Sequence, residues 1–167
     1  MAVANAKAPG PRVQLGIGII RRDDEILLVR ESLGTDGEML WSPPGGGGED
    51  GELLHEALRR ELREETGLLV GDPVRSALFM NIDSEQHPSA LATAFEIDEW
   101  AGEFTPQDDD IEQAEFCALP DALILLGELD SATQREPIVG YLTGAIAPGT
   151  SWLYRDRDAK ETLIARW

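Results

Sequence analysis

The first third of the chain alternates apolar and polar positions in a way that predicts two strands. In VQLGIGII, residues 13–20, an apolar side chain stands at every second position, the period of a half-buried strand. The polar turn RRDDE follows and leads into the apolar run ILLVRE, residues 26–31. Two such runs joined by a short polar turn predict a β-hairpin.

Further along the chain, the spacing of apolar residues changes from every second position to every third or fourth position, and then back to every second. A loop and a stretch of turn residues, WSPPGGGGEDG, come first. We predict a helix over 51–66, strands over 73–82, 90–97 and 114–119, a helix over 120–126, and a weaker helix over 131–146 that Pro137 and Gly140 interrupt. The domain boundaries follow: a flexible lead over 1–12, one domain over 13–147, and a tail over 148–167. The tail has no assigned structure, and its aromatic residues are expected to dock on the body or on a second subunit.

The helix over 51–66 carries charges where apolar residues are expected. At about 100° per residue, Glu61, Glu64 and Glu65 continue the stripe that Leu54 and Leu58 begin. Three neighbouring carboxylates repel one another, and a divalent cation removes that repulsion. Mg²⁺ takes hard oxygen ligands and is commonly shared between carboxylates and substrate phosphates. We therefore predict a magnesium site here; the alternative is a helix end that simply enters solvent.

A glycine-rich stretch, PPGGGG at residues 43–48, precedes this helix. Consecutive glycines let the backbone approach another group closely, because no Cβ stands in the way. Next to a helix N-terminus, such a loop can offer N–H groups to an anion or carbonyls to a metal. No Gly-Lys-Ser/Thr follows, which excludes a Walker-type phosphate loop. The alternative interpretation is a flexible turn.

Together these two features resemble the signature of the Nudix hydrolases, G-x5-E-x7-R-E-U-x-E-E-x-G-U, in which U is a bulky aliphatic residue. Every spacing is intact. The matching residues are Gly46, Glu52, Arg60, Glu61, Leu62, Glu64, Glu65, Gly67 and Leu68. The predicted elements around the signature follow a Nudix-like order over about 13–126.

The resemblance implies an α/β fold, an α/β/α sandwich around a mixed sheet, and Mg²⁺-dependent hydrolysis of a nucleoside diphosphate linked to a group X. Mn²⁺ is a possible substitute for the metal. By position, Arg60 would orient Glu61, and Glu52 would support the loop from behind. The implied metal ligands are the carboxylates of Glu61, Glu64 and Glu65 and the carbonyl of Gly45.

The general base stays open between two places. In some Nudix enzymes it is a signature glutamate, which would be Glu61. In others it comes from a later loop, where Asp109, Asp110 and Glu112 are the candidates in the segment DDDIEQ; a solvated turn is the alternative interpretation.

Three further residues are candidates for substrate binding. Gly46 and Gly47 belong to the glycine stretch, and Arg30 ends the second predicted strand, where it is placed to bind phosphate. An exposed arginine at a strand end is the alternative for Arg30.

Composition limits the possible partners. The formal net charge is −18, from 32 acidic and 14 basic residues, so we expect binding neither to nucleic acid nor to an anionic membrane surface.

A single cysteine, Cys117, excludes an internal disulfide and suits a reducing cytoplasm. No secretory signal is expected at the N-terminus, and the longest apolar run is too short for a bilayer. The expected partner is a small nucleotide, with a homodimer possible.

The signature leaves the substrate open. We favour a (deoxy)nucleoside triphosphate or a related derivative, with nucleotide sugars such as ADP-ribose second. A Nudix-like sensor that binds without turnover is a rival, although such a sensor would be expected to lose one of the metal glutamates. An acidic interaction scaffold explains the net charge but not the spacing of the glutamates.

Overall fold

The computed structural model describes residues 12–33, 37–85 and 87–167 of the chain. The predicted N-terminal lead therefore lies outside the described residues except for Arg12. The strands are β1 Val13–Arg22, β2 Glu25–Ser32, β3 Met39–Ser42, β4 Gly45–Gly47, β5 Leu69–Val70, β6 Arg75–Ser84, β7 Ala90–Ile97, β8 Trp100–Ala101, β9 Ile111–Ala118, β10 Thr150–Arg157 and β11 Lys160–Arg166. The helices are α1 Leu54–Thr66, α2 Leu119–Gly127 and α3 Ala132–Leu142.

A large mixed sheet forms the middle layer. Its strand order is β11-β10-β6-β7-β1-β2-β3, with β4 added beside β1 and β9 beside β2. The pairs β1–β7 and β10–β6 are parallel, and the other pairs in this sheet are antiparallel. The short strands β5 and β8 form a separate antiparallel pair.

The helices cover the sheet on its two faces. Leu58 and Leu62 of α1 pack with Ile20 and Leu27 in one apolar cluster. In a second cluster, residues of α2 and α3 pack with Ile19, Leu28 and other strand residues. Because neighbouring strand residues point to opposite faces, these clusters lie on opposite sides of the sheet. The predicted α/β/α sandwich around a mixed sheet is confirmed.

Two glycines of β1 allow α1 to pack closely on the sheet. A Cβ added to Gly18 would lie 3.0 Å from Leu62 Cδ2, and one added to Gly16 would lie 3.2 Å from Leu58 Cβ. The space left by these glycines is thus filled by the helix. Close packing on β1 fixes the height of α1 above the sheet, and with it the position of the glutamates in its last turns.

The segment over 32–51, predicted as a loop followed by turns, contains two strands, so that prediction was wrong there. Residues 39–42 form β3, and the glycines form β4, which pairs with β1 so that Gly46 lies opposite Gly16. Gly45 has a φ of 147°, and a Cβ there would lie 2.1 Å from the carbonyl oxygen of Gly16. Only glycine permits this close backbone approach.

Two helices also differ from the prediction. The helix predicted from residue 51 begins at Leu54, after a turn in which the Glu56 carboxylate accepts a hydrogen bond from the Leu53 N–H at 2.8 Å. Helix α3 runs through both Pro137 and Gly140 without interruption and ends at Leu142, four residues before the predicted end. Pro137 is the sixth residue of a short helix and is buried, so packing compensates for the single backbone hydrogen bond that proline removes.

The C-terminal segment, to which the sequence assigned no structure, extends the sheet beyond residue 147. Strand β10 pairs in parallel with β6, and β11 folds back on β10. Trp152 and Tyr154 are each 3% exposed and stack with their ring centroids 6.0 Å apart. The tail therefore docks on the body of the same chain through two buried aromatic residues. Among the described residues, no helix has the length and apolar character that a membrane crossing requires.

Candidate active site

The last turns of α1 place their carboxylates directly against β4. Glu65 is 4% exposed, and its Oε2 accepts a hydrogen bond from the Gly45 N–H at 2.8 Å. A Cβ added to Gly46 would lie 2.5 Å from the carboxyl carbon of Glu61. The helix stripe and the glycine stretch, recognised separately in the sequence, therefore form one site.

Arg60 organises this site through five hydrogen bonds. It donates to both oxygens of Glu52 at 2.9 and 3.0 Å, to Glu61 at 2.8 Å, to Glu64 at 3.2 Å and to the Gly47 carbonyl at 2.9 Å. A planar guanidinium with five donors suits this task, and a lysine could not reproduce it. The hydrogen bond to Glu61 places Arg60 where it could orient that carboxylate.

Glu52 connects Arg60 to the loop before the helix. Its carboxylate also accepts a hydrogen bond from the Glu49 N–H at 2.9 Å. The hydrogen bonds from Arg60, followed by that from Glu49, lower the pKa of Glu52 to about 2. Glu52 is therefore ionised at neutral pH and anchors the guanidinium that holds Glu61 and Glu64.

Glu65 is in a different electrostatic environment. Burial, and then the charge of Glu31, raise the pKa of Glu65 to about 8, and the hydrogen bond from Gly45 offsets this only in part. A buried carboxylate among other carboxylates requires either a proton or a nearby cation. The oxygen donors of Glu61, Glu64 and Glu65 are those that a hard divalent cation prefers.

The carboxylates do not surround a common point in this conformation. Within the described ranges, no three acidic, histidine or cysteine side chains form a group that could hold a metal ion. Arg60 occupies one oxygen of Glu61 and one of Glu64. A cation shared by the three predicted ligands would therefore use the oxygens that Arg60 does not occupy, Oε2 of Glu61 and Oε1 of Glu64.

The structure adds residues to the site that the sequence did not indicate. Glu31, at the end of β2, accepts a hydrogen bond from Ser42 Oγ at 2.5 Å. Burial raises the pKa of Glu31, and so do the charges of Asp108, Glu61 and Asp110, in that order. A charged residue at the end of an apolar strand is a signal in the sequence, but it does not distinguish Glu31 from its neighbour Arg30.

The acidic segment lies against the end of α1. The N–H groups of Gln107 and Asp108 donate to the Glu64 carbonyl at 2.7 and 3.1 Å, and the Asp110 N–H donates to Asp108 Oδ1 at 2.9 Å. Asp108 raises the pKa of both Glu31 and Glu65. Among the aspartates of this segment, Asp108 is therefore coupled to both buried carboxylates, although only Asp109 and Asp110 were singled out in the sequence.

Two predicted site residues pair with each other. Arg30 Nη1 lies 2.6 Å from Glu112 Oε2, and both side chains are more than one-third exposed. The sequence assigned phosphate binding to Arg30 and a possible role as base to Glu112. While this ion pair persists, each residue neutralises the other.

A cavity of about 240 Å³ opens next to the glycine stretch. Gly45, Gly46, Glu31 and Ser42 form its edge on the side of the carboxylates. The remaining lining is mostly apolar and comes from the sheet and from α3: Leu15, Gly16, Ile17, Leu33, Pro43, Met80, Ile82, Ala92, Leu129, Thr133, Gln134 and Ile138. An apolar pocket with a few polar groups beside charged residues is a typical small-molecule site.

Comparison with known proteins identifies the family. Residues 11–138 match the NUDIX domain family, a segment that contains the glycine strand, Arg60 and all three carboxylates of α1. This chain belongs to the Nudix hydrolase family. Nudix hydrolases generally use divalent metal ions and act on small nucleotide substrates.

Among relatives, the chain is 32% identical over 99 residues to an ADP-ribose pyrophosphatase from Methanocaldococcus jannaschii, covering 59% of this chain and 57% of that protein. It is 33% identical over 107 residues to the NAD-capped RNA hydrolase NudC from Pseudomonas aeruginosa, covering 64% of this chain and 36% of the relative. The chain thus spans little more than half of the first relative and about a third of the second.

Among solved structures, the fold is similar to that of a MutT protein from Bacillus halodurans. The TM-score is 0.68 at 22% identity, and the match covers 93% of this chain and 96% of that one. The coverage reaches well beyond residue 138, which is where the match to the Nudix domain family ends. At this level of identity, the similarity concerns the fold.

The support that Glu52 gives to Arg60 can be tested in this Nudix domain. In Glu52→Gln, an amide N–H group would face the guanidinium, so we expect Arg60 to shift and Glu61 to be held less firmly. Loss of a group that orients a ligand typically lowers activity about 10- to 100-fold, and we expect kcat to fall by about tenfold. Glu49→Gln is the control, because the Glu49 side chain is exposed and Glu49 is hydrogen-bonded to Glu52 through its backbone N–H and carbonyl groups. Equal kcat values for the two variants would show that Glu52 has no such role.

Proposed function

We propose that this chain hydrolyses a pyrophosphate bond in a nucleoside diphosphate-X substrate with Mg²⁺ bound at Glu61, Glu64 and Glu65. The observation that carries the proposal is Glu65, a buried carboxylate held under the backbone of Gly45 and beside Glu61. A buried cluster of this kind is costly without a counter-charge. A bound dication supplies that positive charge and leaves coordination positions for the phosphates of a substrate.

The roles of the residues follow from their contacts. The three carboxylates, with the Gly45 carbonyl, would hold the metal, and Arg60 keeps Glu61 and Glu64 aligned. When bound, Mg²⁺ would lower the pKa of a water and offset charge on the phosphates. Candidates for the group that takes the proton from water are Glu61, Asp109, Asp110 and Glu112. Asp108 joins them because it is coupled to the buried carboxylates.

The cavity beside the glycine strand would hold the nucleoside. Its volume of about 240 Å³ lies below the usual range for complete ligand sites, about 300–1,000 Å³. One flat base fits such a space, while the phosphates extend over Gly45 and Gly46 to the carboxylates. The Gln134 side chain, which is exposed and lines the cavity, offers both a donor and an acceptor to a base edge.

Two substrate classes fit this arrangement. A (deoxy)nucleoside triphosphate or a related derivative is the first, as expected from the sequence. The ADP-ribose class is the second, and it gains support from the M. jannaschii relative, which is named for ADP-ribose hydrolysis. We propose a free nucleotide and not RNA as the substrate, because a net charge of −18 opposes the approach of a polyanion.

A panel of substrates tests the proposal. Phosphate or nucleoside monophosphate release is measured for the common (deoxy)nucleoside triphosphates, ADP-ribose, nucleotide sugars and an NAD-capped RNA oligonucleotide. Each reaction is run with Mg²⁺, with Mn²⁺ and with EDTA. We expect turnover of at least one free nucleotide with either metal and its loss in EDTA.

The remaining outcomes separate the rivals. Tight binding of a nucleotide without any turnover would support the sensor and contradict the proposal. Turnover that EDTA does not reduce would contradict the metal site. Faster hydrolysis of the capped RNA than of every free nucleotide would overturn the substrate class while leaving the chemistry in place.

A further inference from the structure

The C-terminal hairpin β10–β11 lies outside the segment that matches the Nudix domain family, yet it contacts the wall of the cavity. We propose that Glu161, on β11, is a positioning residue for the substrate's nucleoside, and that it acts through helix α3. This inference rests on the proposed function, because it assigns a role at the same site.

Glu161 makes three hydrogen bonds to the start of α3. Its Oε1 accepts from Ser131 Oγ at 2.7 Å and from Thr133 Oγ1 at 3.3 Å. Its Oε2 accepts from the Thr133 N–H at 3.1 Å. Both carboxylate oxygens of Glu161 are therefore bound to the first turn of the helix, and Thr133 is 5% exposed there.

Glu161 supplies the N-terminal cap that the N-cap residue of α3 does not provide. The first N–H groups of a helix have no partner within the helix, and an N-cap serine normally accepts from one of them. Ser131 is at the N-cap of α3, but its side chain makes no capping hydrogen bond. The Glu161 carboxylate takes that place from another strand, and a negative charge is also favourable at this end of the helix dipole.

The first turn of α3, which Glu161 caps, also forms part of the wall of the cavity. Thr133, Gln134 and Ile138 line it from α3, while Gly46 lines it from β4. Because Glu161 holds Thr133, it also holds the backbone at the adjoining residue, Gln134. A change at β11 is therefore transmitted to the surface that faces the nucleoside, and not directly to the carboxylates of α1.

The hairpin that carries Glu161 is a firm support. Trp152 and Tyr154 of β10 belong to the main apolar cluster. The Tyr154 hydroxyl donates to Glu136 Oε2 at 3.1 Å, which ties the hairpin to α3 a second time. A positioning residue is effective only when its own backbone is fixed, and this condition is met here.

The test compares Glu161→Ala with Thr162→Ala, the neighbouring and exposed position on the same strand. For the best substrate of the panel, we expect Glu161→Ala to raise KM about fivefold, the size expected from losing a helix cap. The value of kcat should stay within about twofold, because the carboxylates of α1 are untouched. Hydrogen exchange should become faster at the first turn of α3, and Thr162→Ala should match the wild type in every measurement.

Several outcomes would overturn the inference. Equal KM values for Glu161→Ala and Thr162→Ala, with an active wild type, would overturn it while the proposed function stands. A fall in kcat without a change in KM would do the same. Glu161→Gln keeps the size and one acceptor oxygen and should give an intermediate KM; if both Glu161 variants fail to fold, Glu161 serves stability instead. A wild type without turnover would refute the proposed function itself.

Discussion

Replacing Glu65 by glutamine is expected to lower the rate of nucleotide hydrolysis about a thousandfold while the protein stays folded. Glutamine has nearly the same shape, and its carbonyl oxygen can still accept the hydrogen bond from the Gly45 N–H. It lacks the charge that would hold a divalent cation in a buried site. A loss of several kcal/mol in transition-state stabilisation corresponds to a factor of about a thousand. The measurement is kcat/KM at a fixed Mg²⁺ concentration, together with Tm.

The matched control for this variant is Glu56→Gln. It makes the same chemical change on the same helix, but Glu56 is exposed and faces away from β4, and the glutamine oxygen can still accept from the Leu53 N–H. We expect its kcat/KM to stay within about twofold of the wild type. Full activity of Glu65→Gln at ordinary Mg²⁺ would show that Glu65 is not a metal ligand.

Replacing Gly45 by alanine is expected to destabilise the fold by about 3–4 kcal/mol. Its φ of 147° is a conformation that alanine rarely adopts. The added Cβ would also lie 2.1 Å from the Gly16 carbonyl oxygen and 2.8 Å from Ile17 Cα. Both contacts are with backbone that is paired in the sheet, so neither can yield cheaply. Denaturant unfolding gives the change directly.

Gly48→Ala is the control for Gly45→Ala. A Cβ at Gly48 would lie 3.8 Å from Ala57 Cβ, an ordinary contact. We expect its free energy of unfolding to stay within about 0.5 kcal/mol of the wild type. If both variants unfolded at the same denaturant concentration, the close approach of β4 to β1 described here would be incorrect.

The sequence predicts the part of the site that follows from the period of the α-helix. The spacing of Glu61, Glu64 and Glu65 fixes their common stripe on α1 wherever the helix packs. The glycine strand β4 could not be predicted in this way, because glycines have no apolar pattern. Its place is set by contact with Gly16, some thirty positions earlier in the chain.

The tail shows a second limit of sequence reasoning. Trp152 and Tyr154 are two positions apart and share one buried face, a pattern that is typical of a strand. Their neighbour in the sheet is β6, which pairs Trp152 with Met80. A parallel pairing between such distant segments leaves no local signal. Glu31 and Glu161 were missed for the same reason, since their importance depends on partners from other elements.

Binding of Mn²⁺, followed by electron paramagnetic resonance with a non-hydrolysable nucleotide analogue present, tests the central claim most directly. We predict that the wild type and Glu56→Gln bind the ion with similar affinity. Glu65→Gln should bind it at least about tenfold more weakly. Equal affinity in all three proteins, or no bound ion in the wild type, would contradict the assignment of the α1 carboxylates as a metal site.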